Sequence, residues 1–117
     1  MQGVLVMERI TPQLVRECYE QTGLSPATCR LLSKGRACAL GAIAVASGYL
    51  AKDDWHNCKA VNEAYQKLFD RFGMDYVLDF YSGFDGEMAC FQSPGLCDGL
   101  ATRIAILYEK PNKNTGS

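Results

Sequence analysis

The sequence lacks most of the patterns that mark a reaction. GxxxxGKS/T and GxGxxG are both absent and no CxxC pair occurs, so phosphate-cradling loops and paired redox thiols have no carrier. Histidine is confined to His56, with Cys58 two residues later; on a helix the two side chains would point about 200° apart, too far for a nucleophile and its base. Neither sign of charge dominates. Twelve Lys and Arg against 13 Asp and Glu leave a formal net charge of −1, which gives no support to general binding of nucleic acid or anionic membrane. Long hydrophobic runs are missing too: the uncharged stretch at residues 37–51, ACALGAIAVASGYLA, falls about five residues short of the roughly 20 that cross a bilayer.

Residues 4–7 offer only a brief apolar patch before Glu8 and Arg9, without the basic leader of an export signal. The expectation is a cytoplasmic protein whose six cysteines, at positions 18, 29, 38, 58, 90 and 97, are reduced thiols serving mostly as small core residues. At 117 residues and 48% hydrophobic, the chain can build a core without disulfides or a metal. One helical domain over residues 1–110 is expected, followed by a polar, disordered tail at 111–117.

What is present is mostly helical punctuation. Thr11 and Pro12 start a helix that runs to about Thr22, with Leu14, Val15, Cys18 and Tyr19 at helical spacing and Gly23 as the stop. Ser25 and Pro26 repeat the signal, but the short polar segment before Gly35 leaves a two-turn helix and a structured loop both open. The alanine-rich run at 37–51 reads as a buried central helix with Leu40, Ile43 and Ala44 on one side, ended by Gly48. Asp53 and Asp54 are expected to cap the clearest amphipathic helix, whose apolar face is Trp55, Cys58, Val61, Tyr65, Leu68, Phe69 and Phe72 and which Gly73 closes in the left-handed conformation. Asp75 is expected to cap a short helix over 76–81, with SGFDGE as the turn after it. Ser93 and Pro94 start a last helix through Leu96, Leu100, Arg103, Ile104, Leu107 and Tyr108 that Pro111 stops. Residues 88–91 are unassigned. The fold class is mainly α, a compact bundle of about five helices with room for a short N-terminal strand; a β-ribbon joining residues 4–7 to residues 104–108 is the chief alternative.

The segments ITPQLVRECYEQTGL, CALGAIAVASG and FYSGFDGE, in that order and at these distances, resemble small uncharacterised bacterial and phage proteins that carry a CALGA-type core segment and a GFDG-type turn. The resemblance spans roughly residues 11–99. It implies a shared helical fold and no activity. Asp98-Gly99 resembles an acidic-glycine pair of that pattern, but Cys97 stands before it where an acid or polar residue is expected, so the resemblance does not extend to a shared acidic site.

Several chemistries can be weighed on the residues themselves. His56, Cys58, Asp53 and Asp54 include metal donors, with Cys90 and Cys97 farther off, but structural zinc sites use ligand pairs two to four residues apart and Cys90 to Cys97 is wider. Asp79, Asp85 and Glu87 surround a glycine turn, yet Tyr81 and Gly83 stand where a calcium loop needs oxygen ligands. No metal or other cofactor is expected. Cys29 beside Arg30, and Cys97 near the start of the last helix, are the candidate reactive thiols. Nucleic acid is not an expected partner, because the best glycine-joined second helix, residues 76–81, is acidic and aromatic. Charge is uneven along the chain. Residues 28–52 carry Arg30, Lys34, Arg36 and Lys52 with no acid, and residues 75–98 carry Asp75, Asp79, Asp85, Glu87 and Asp98 with no base. The two stretches are expected either to face each other or to form separate surfaces, the acidic one suited to a basic partner.

These readings leave protein contact as the expected function. The sequence predicts a non-enzymatic, cytoplasmic helical domain that associates with a protein partner or with itself as a homodimer, away from membranes. Its contact surface is Tyr76, Phe80, Tyr81, Phe84, Asp85 and Glu87. The alternative is a small-molecule-binding or thiol-dependent enzyme using Cys29 or Cys97 with His56.

Overall fold

The Thr11 hydroxyl accepts the Leu14 amide at 3.2 Å, and Pro12 needs no amide partner at the first helical position, so the chain turns into α1, Pro12–Thr22. A computed structural model describes residues 8–28, 30–86 and 93–108. Val15, Cys18, Tyr19 and Thr22 form the buried face of α1, and the Gly23 amide closes it on the Tyr19 carbonyl.

Ser25 and Pro26 carry the same start signal but open no helix. They form β1, Ser25–Pro26, which runs parallel to β3, Arg36–Ala37, while β2, Leu32–Ser33, lies antiparallel on the other side of β3. Of the two conformations the sequence left open, the structured loop is the one formed. Residues 27–30 offer no apolar face for a helix to bury, and the backbone is satisfied across strands instead, Ser25 N–H to Gly35 C=O and Ala27 N–H to Ala37 C=O, both 3.0 Å.

From Cys38 the chain enters α2, Ala39–Ala46, whose residues 39–44 are all buried. A helix apolar on every side has to be surrounded, and here small side chains let neighbours close in. A Cβ on Gly41 would fall on the Leu31 carbonyl, 2.7 Å from its carbon. The Tyr19 hydroxyl donates to the Ala37 carbonyl at 2.7 Å, fastening α1 to the strand that leads into α2.

α3 spans Cys58–Phe72 and buries Ala64, Leu68 and Phe72. Its cap is Asn57, whose side chain accepts the Ala60 amide at 3.2 Å; Asp53 and Asp54 lie a turn earlier, in the 3-10 turn Lys52–Asp54. Trp55 and Cys58, expected on the apolar face, are exposed, because the helix begins later than the apolar spacing suggests. Gly73 both ends α3 and opens α4, with φ 93 and ψ 135 rather than left-handed helical values. α4, Met74–Phe84, is longer than expected: Gly83 and Phe84, read from sequence as turn, are helical and buried, and the turn falls at Asp85 and Gly86. Ser93 caps α5, Pro94–Arg103, by accepting the Leu96 amide at 3.1 Å. The chain continues as a π-helical turn, Ile104–Tyr108, so the β-ribbon alternative does not form there.

The architecture is thus mainly α, five α-helices with one three-stranded sheet among the described residues. Residues 4–7, Cys29, residues 87–92 with Glu87 and Cys90, and the tail lie outside the described residues.

The closest helix pair is α4 with α5. A Cβ on Gly95 would sit 2.5 Å from the Tyr76 carbonyl oxygen, and one on Gly99 would sit 2.8 Å from the Phe84 nitrogen and 3.0 Å from the Cα of Gly83. At Gly83 and Gly99 the nearest atoms across the contact are all backbone, and at Gly95 they include the Asp79 Cβ at 2.8 Å, the close approach that i, i+4 glycines permit. Partners advance together along the two helices, Ser93 with Asp79, Gly99 with Gly83 and Phe84, and Arg103 with the Phe84 carbonyl, so α4 and α5 run in the same sense. Phe72, Phe80 and Phe84 fill the core beside this contact, each worth about 1.5–3 kcal/mol when fully buried.

Candidate functional site

The aromatic-acidic segment expected as a contact surface is only partly on the surface. Phe80 and Phe84, one helical turn apart on α4, stack at 6.3 Å and are fully buried, which corrects their assignment to the surface. The i, i+4 spacing sets both rings on the inner face, and the glycines of α5 let that helix close beside them. Tyr76 is half-buried. Its hydroxyl donates to the Asp98 carboxylate and accepts the Ile10 amide at 2.8 Å, while Arg9 grips the same carboxylate with two bonds of 2.9 Å. Burial, then the adjoining Asp98, pushes the Tyr76 phenol up to about 12. Tyr76 is therefore a fastener for the N-terminal segment. Tyr81 and Asp85 are half-buried and engaged in contacts, and Glu87 is outside the described residues. What α4 exposes instead is Met74 and Leu78, beside Asp75.

The acidic and basic stretches are not joined by the ion pairs the structure shows. Asp98 pairs with Arg9, and Glu8 pairs with Arg71 at 2.8 Å, so both bridges tie down the N-terminal segment. Arg71 also donates to the Ser47 hydroxyl at 3.0 Å. Its bonds to Glu8 hold that carboxyl below the usual range.

α5, with the π-helical turn that continues it, carries a surface that sequence reasoning missed. Gly95, Leu96, Gly99 and Thr102 face inward, while Pro94, Cys97, Ala101, Ile104 and Tyr108 are exposed. Their spacing is three, four, three and four residues, the seam spacing by which one helix receives another. Ile104 is 51% and Tyr108 63% exposed, large values for side chains of this size. No charged residue lies on the stripe. The neighbouring charges are occupied within the molecule: Asp98 by Arg9 and Tyr76, and Arg103 by the Phe84 carbonyl at 2.7 Å and the Tyr108 hydroxyl at 2.8 Å. The Arg103 guanidinium also lies 5.4 Å from the Tyr108 ring centre, so Tyr108 is held in place. The signal was in the sequence as a second apolar spacing on the last helix, offset from Leu96 and Leu100.

Among the described residues the thiol alternative finds no assembled site. Cys97 is exposed on the stripe with its amide bonded to the Ser93 carbonyl, and Cys29 is outside the described residues. His56 is exposed and stacked on Trp55 at 4.6 Å, with no contact to Cys97 among the described residues. Cys38 and Cys18 are buried. Burial pushes the Cys38 thiol up to about 12 against the opposing pull of the Gly41 and Leu40 amides, so it stays a protonated core group. Among the described residues no three His, Cys, Asp or Glu side chains converge as metal ligands, and no helix is long and apolar enough to cross a membrane. No protein-family model matches the chain, and no curated protein or solved structure is significantly similar to it.

Proposed function

We propose that the protein acts through protein contacts and that its docking face is the α5 stripe, which pairs with the same stripe of a second copy. The observation that carries this reading is the row Pro94, Cys97, Ala101, Ile104 and Tyr108, exposed at alternating three- and four-residue intervals. A helix is the occupant this spacing receives. A second copy is the occupant its charge favours. The stripe has nothing with which to select an acidic or basic partner, whereas two copies bury apolar surface against apolar surface and strand no charge. Such a two-fold contact is the commonest closed arrangement for identical chains. The seam is short, so the dimer is expected to dissociate on dilution. The reading places the protein in a reducing, cytoplasmic setting in which the exposed Cys58 and Cys97 remain thiols.

Sedimentation equilibrium of the wild type and of Ile104→Glu tests it. The wild type should show a concentration-dependent monomer–dimer equilibrium. The variant should stay monomeric with an unchanged circular dichroism spectrum, because Ile104 lies outside the core. A wild type that is monomeric at every concentration, or a dimer that survives the substitution, would sink the reading.

A further inference from the structure

The outward face of the small sheet forms a second site, independent of the α5 stripe. Across β2 and β3, Leu32 stands opposite Ala37 and Ser33 opposite Arg36. Alternation along each strand then divides the sheet: Leu32 and Ala37 are buried against the core, and Ser33 and Arg36 point away from it. Ala27, Thr28 and Arg30, which lie between β1 and β2 in the chain, stand beside that outer face. Together they enclose an open concavity of about 380 Å³ lined by Ala27, Thr28, Arg30, Ser33 and Arg36.

Two arginines, a threonine and a serine thus border one hollow, with Ala27 as the sole apolar residue of its lining among the described residues. Among the described residues neither arginine has a carboxylate partner. The sequence around them, residues 28–52, contains four basic residues and no acid. Elsewhere in the molecule arginines are used: the exposed Arg9 and the half-buried Arg71 each make a two-pronged bond to a carboxylate. Arg30 and Arg36 carry the same planar forks, with no carboxylate of the described residues in them.

We propose that this concavity binds the phosphate group of a small polar phosphomonoester. The choice among anions follows from charge and shape. A phosphomonoester carries nearly two negative charges near neutral pH, matching two arginines, where a carboxylate carries one. Guanidinium forks bind phosphate oxygens in pairs, and hydroxyl donors such as Thr28 and Ser33 can serve the remaining oxygen. The hollow lies within the size range of small-ligand sites and leaves room for an organic body beyond the phosphate. Among the described residues no aromatic ring lines it, so they offer no stacking surface for a nucleobase.

Titration of ¹⁵N-labelled protein with inorganic phosphate, at constant ionic strength balanced with sodium chloride, tests the site. Saturable amide shifts are expected at residues 27, 28, 30, 33 and 36. Glycerol 3-phosphate should produce shifts at the same amides and compete with phosphate. Arg36→Gln should weaken binding about tenfold, and Arg36→Lys should weaken it less, because it keeps the charge and loses the fork. Arg36 is exposed, so amide positions elsewhere should be unchanged in both variants. Shifts that chloride reproduces, or saturation that Arg36→Gln leaves intact, would overturn the proposal. So would binding of a single-stranded oligonucleotide by a protein that ignores both phosphate and glycerol 3-phosphate.

Discussion

Between α4 and α5 the helices meet at Gly83, Gly95 and Gly99, backbone against backbone at Gly83 and Gly99, whereas the β2–β3 hairpin turns through Lys34 and Gly35 with nothing within 4 Å of where a Gly35 Cβ would lie. The glycines of the helix pair are required by contact. That of the hairpin is required by its backbone, at φ 72. The two regions also leave different surfaces behind them. Close helix packing turns an uncharged apolar stripe outward on α5, and the sheet turns its arginine and serine outward beside a polar hollow. The first is the face proposed to meet a second copy, and the second is the hollow proposed to hold a phosphate group.

Substitution should separate contact glycines from conformational ones, beginning with the largest effect. Gly99→Ala places a methyl against backbone atoms of α4 and should destabilise the fold by about 3 kcal/mol, read from urea unfolding. Gly35→Ala meets no atom and should cost only about 1 kcal/mol, from the positive φ alone. Equal losses at the two sites would erase the distinction.

Alkaline pH probes the sheet side of the same comparison. The Cys38 thiol, at the end of β3, is raised from 9.0 to about 12 in the fold. Above pH 9 the unfolded chain therefore gives up a proton that the native chain keeps. The contribution is fully present below pH 9 and is lost as pH rises toward 12, by about 1 kcal/mol between pH 9 and 10. Cys38→Ala should flatten the dependence of unfolding free energy on pH in that window. An unchanged slope would remove Cys38 from the explanation.

On the helix side the smallest effect is expected at Thr102. Its hydroxyl is buried in α5 without a hydrogen-bond partner among the described residues. Thr102→Val removes that hydroxyl while keeping the branched shape, and should leave stability unchanged or raise it by up to about 1 kcal/mol. A loss of more than this would show that the hydroxyl is satisfied in solution.

Much of this division is legible from residues, and the misreadings have local causes. Thr11-Pro12 and Ser93-Pro94 start helices because apolar positions at helical spacing follow them. Ser25-Pro26 becomes a strand because its partner, Arg36–Ala37, lies eleven residues on, where a local start signal carries no information. Asn57 rather than Asp54 caps α3 because Trp55 and His56 form a turn before the helix. Phe80 and Phe84 invite a surface reading until Gly95 and Gly99 are recognised as the small residues that let α5 close beside them. On α5 itself two apolar spacings coexist, Leu96 with Leu100 and Cys97 with Ile104, and sequence alone does not say which faces the core. The concavity is the least legible feature, since strand register sets Ser33 and Arg36 side by side and the fold brings Ala27, Thr28 and Arg30 next to them.

The α5 face is tested most directly by isotope-filtered nuclear Overhauser measurements on a mixture of labelled and unlabelled protein at dimer-forming concentration. Cross-peaks between chains from the Ile104 methyls to Cys97, Ala101 or Tyr108 of the second copy are the predicted result. Intermolecular cross-peaks confined to another surface, or none at all in a sample shown to be dimeric, would contradict the assignment of this face.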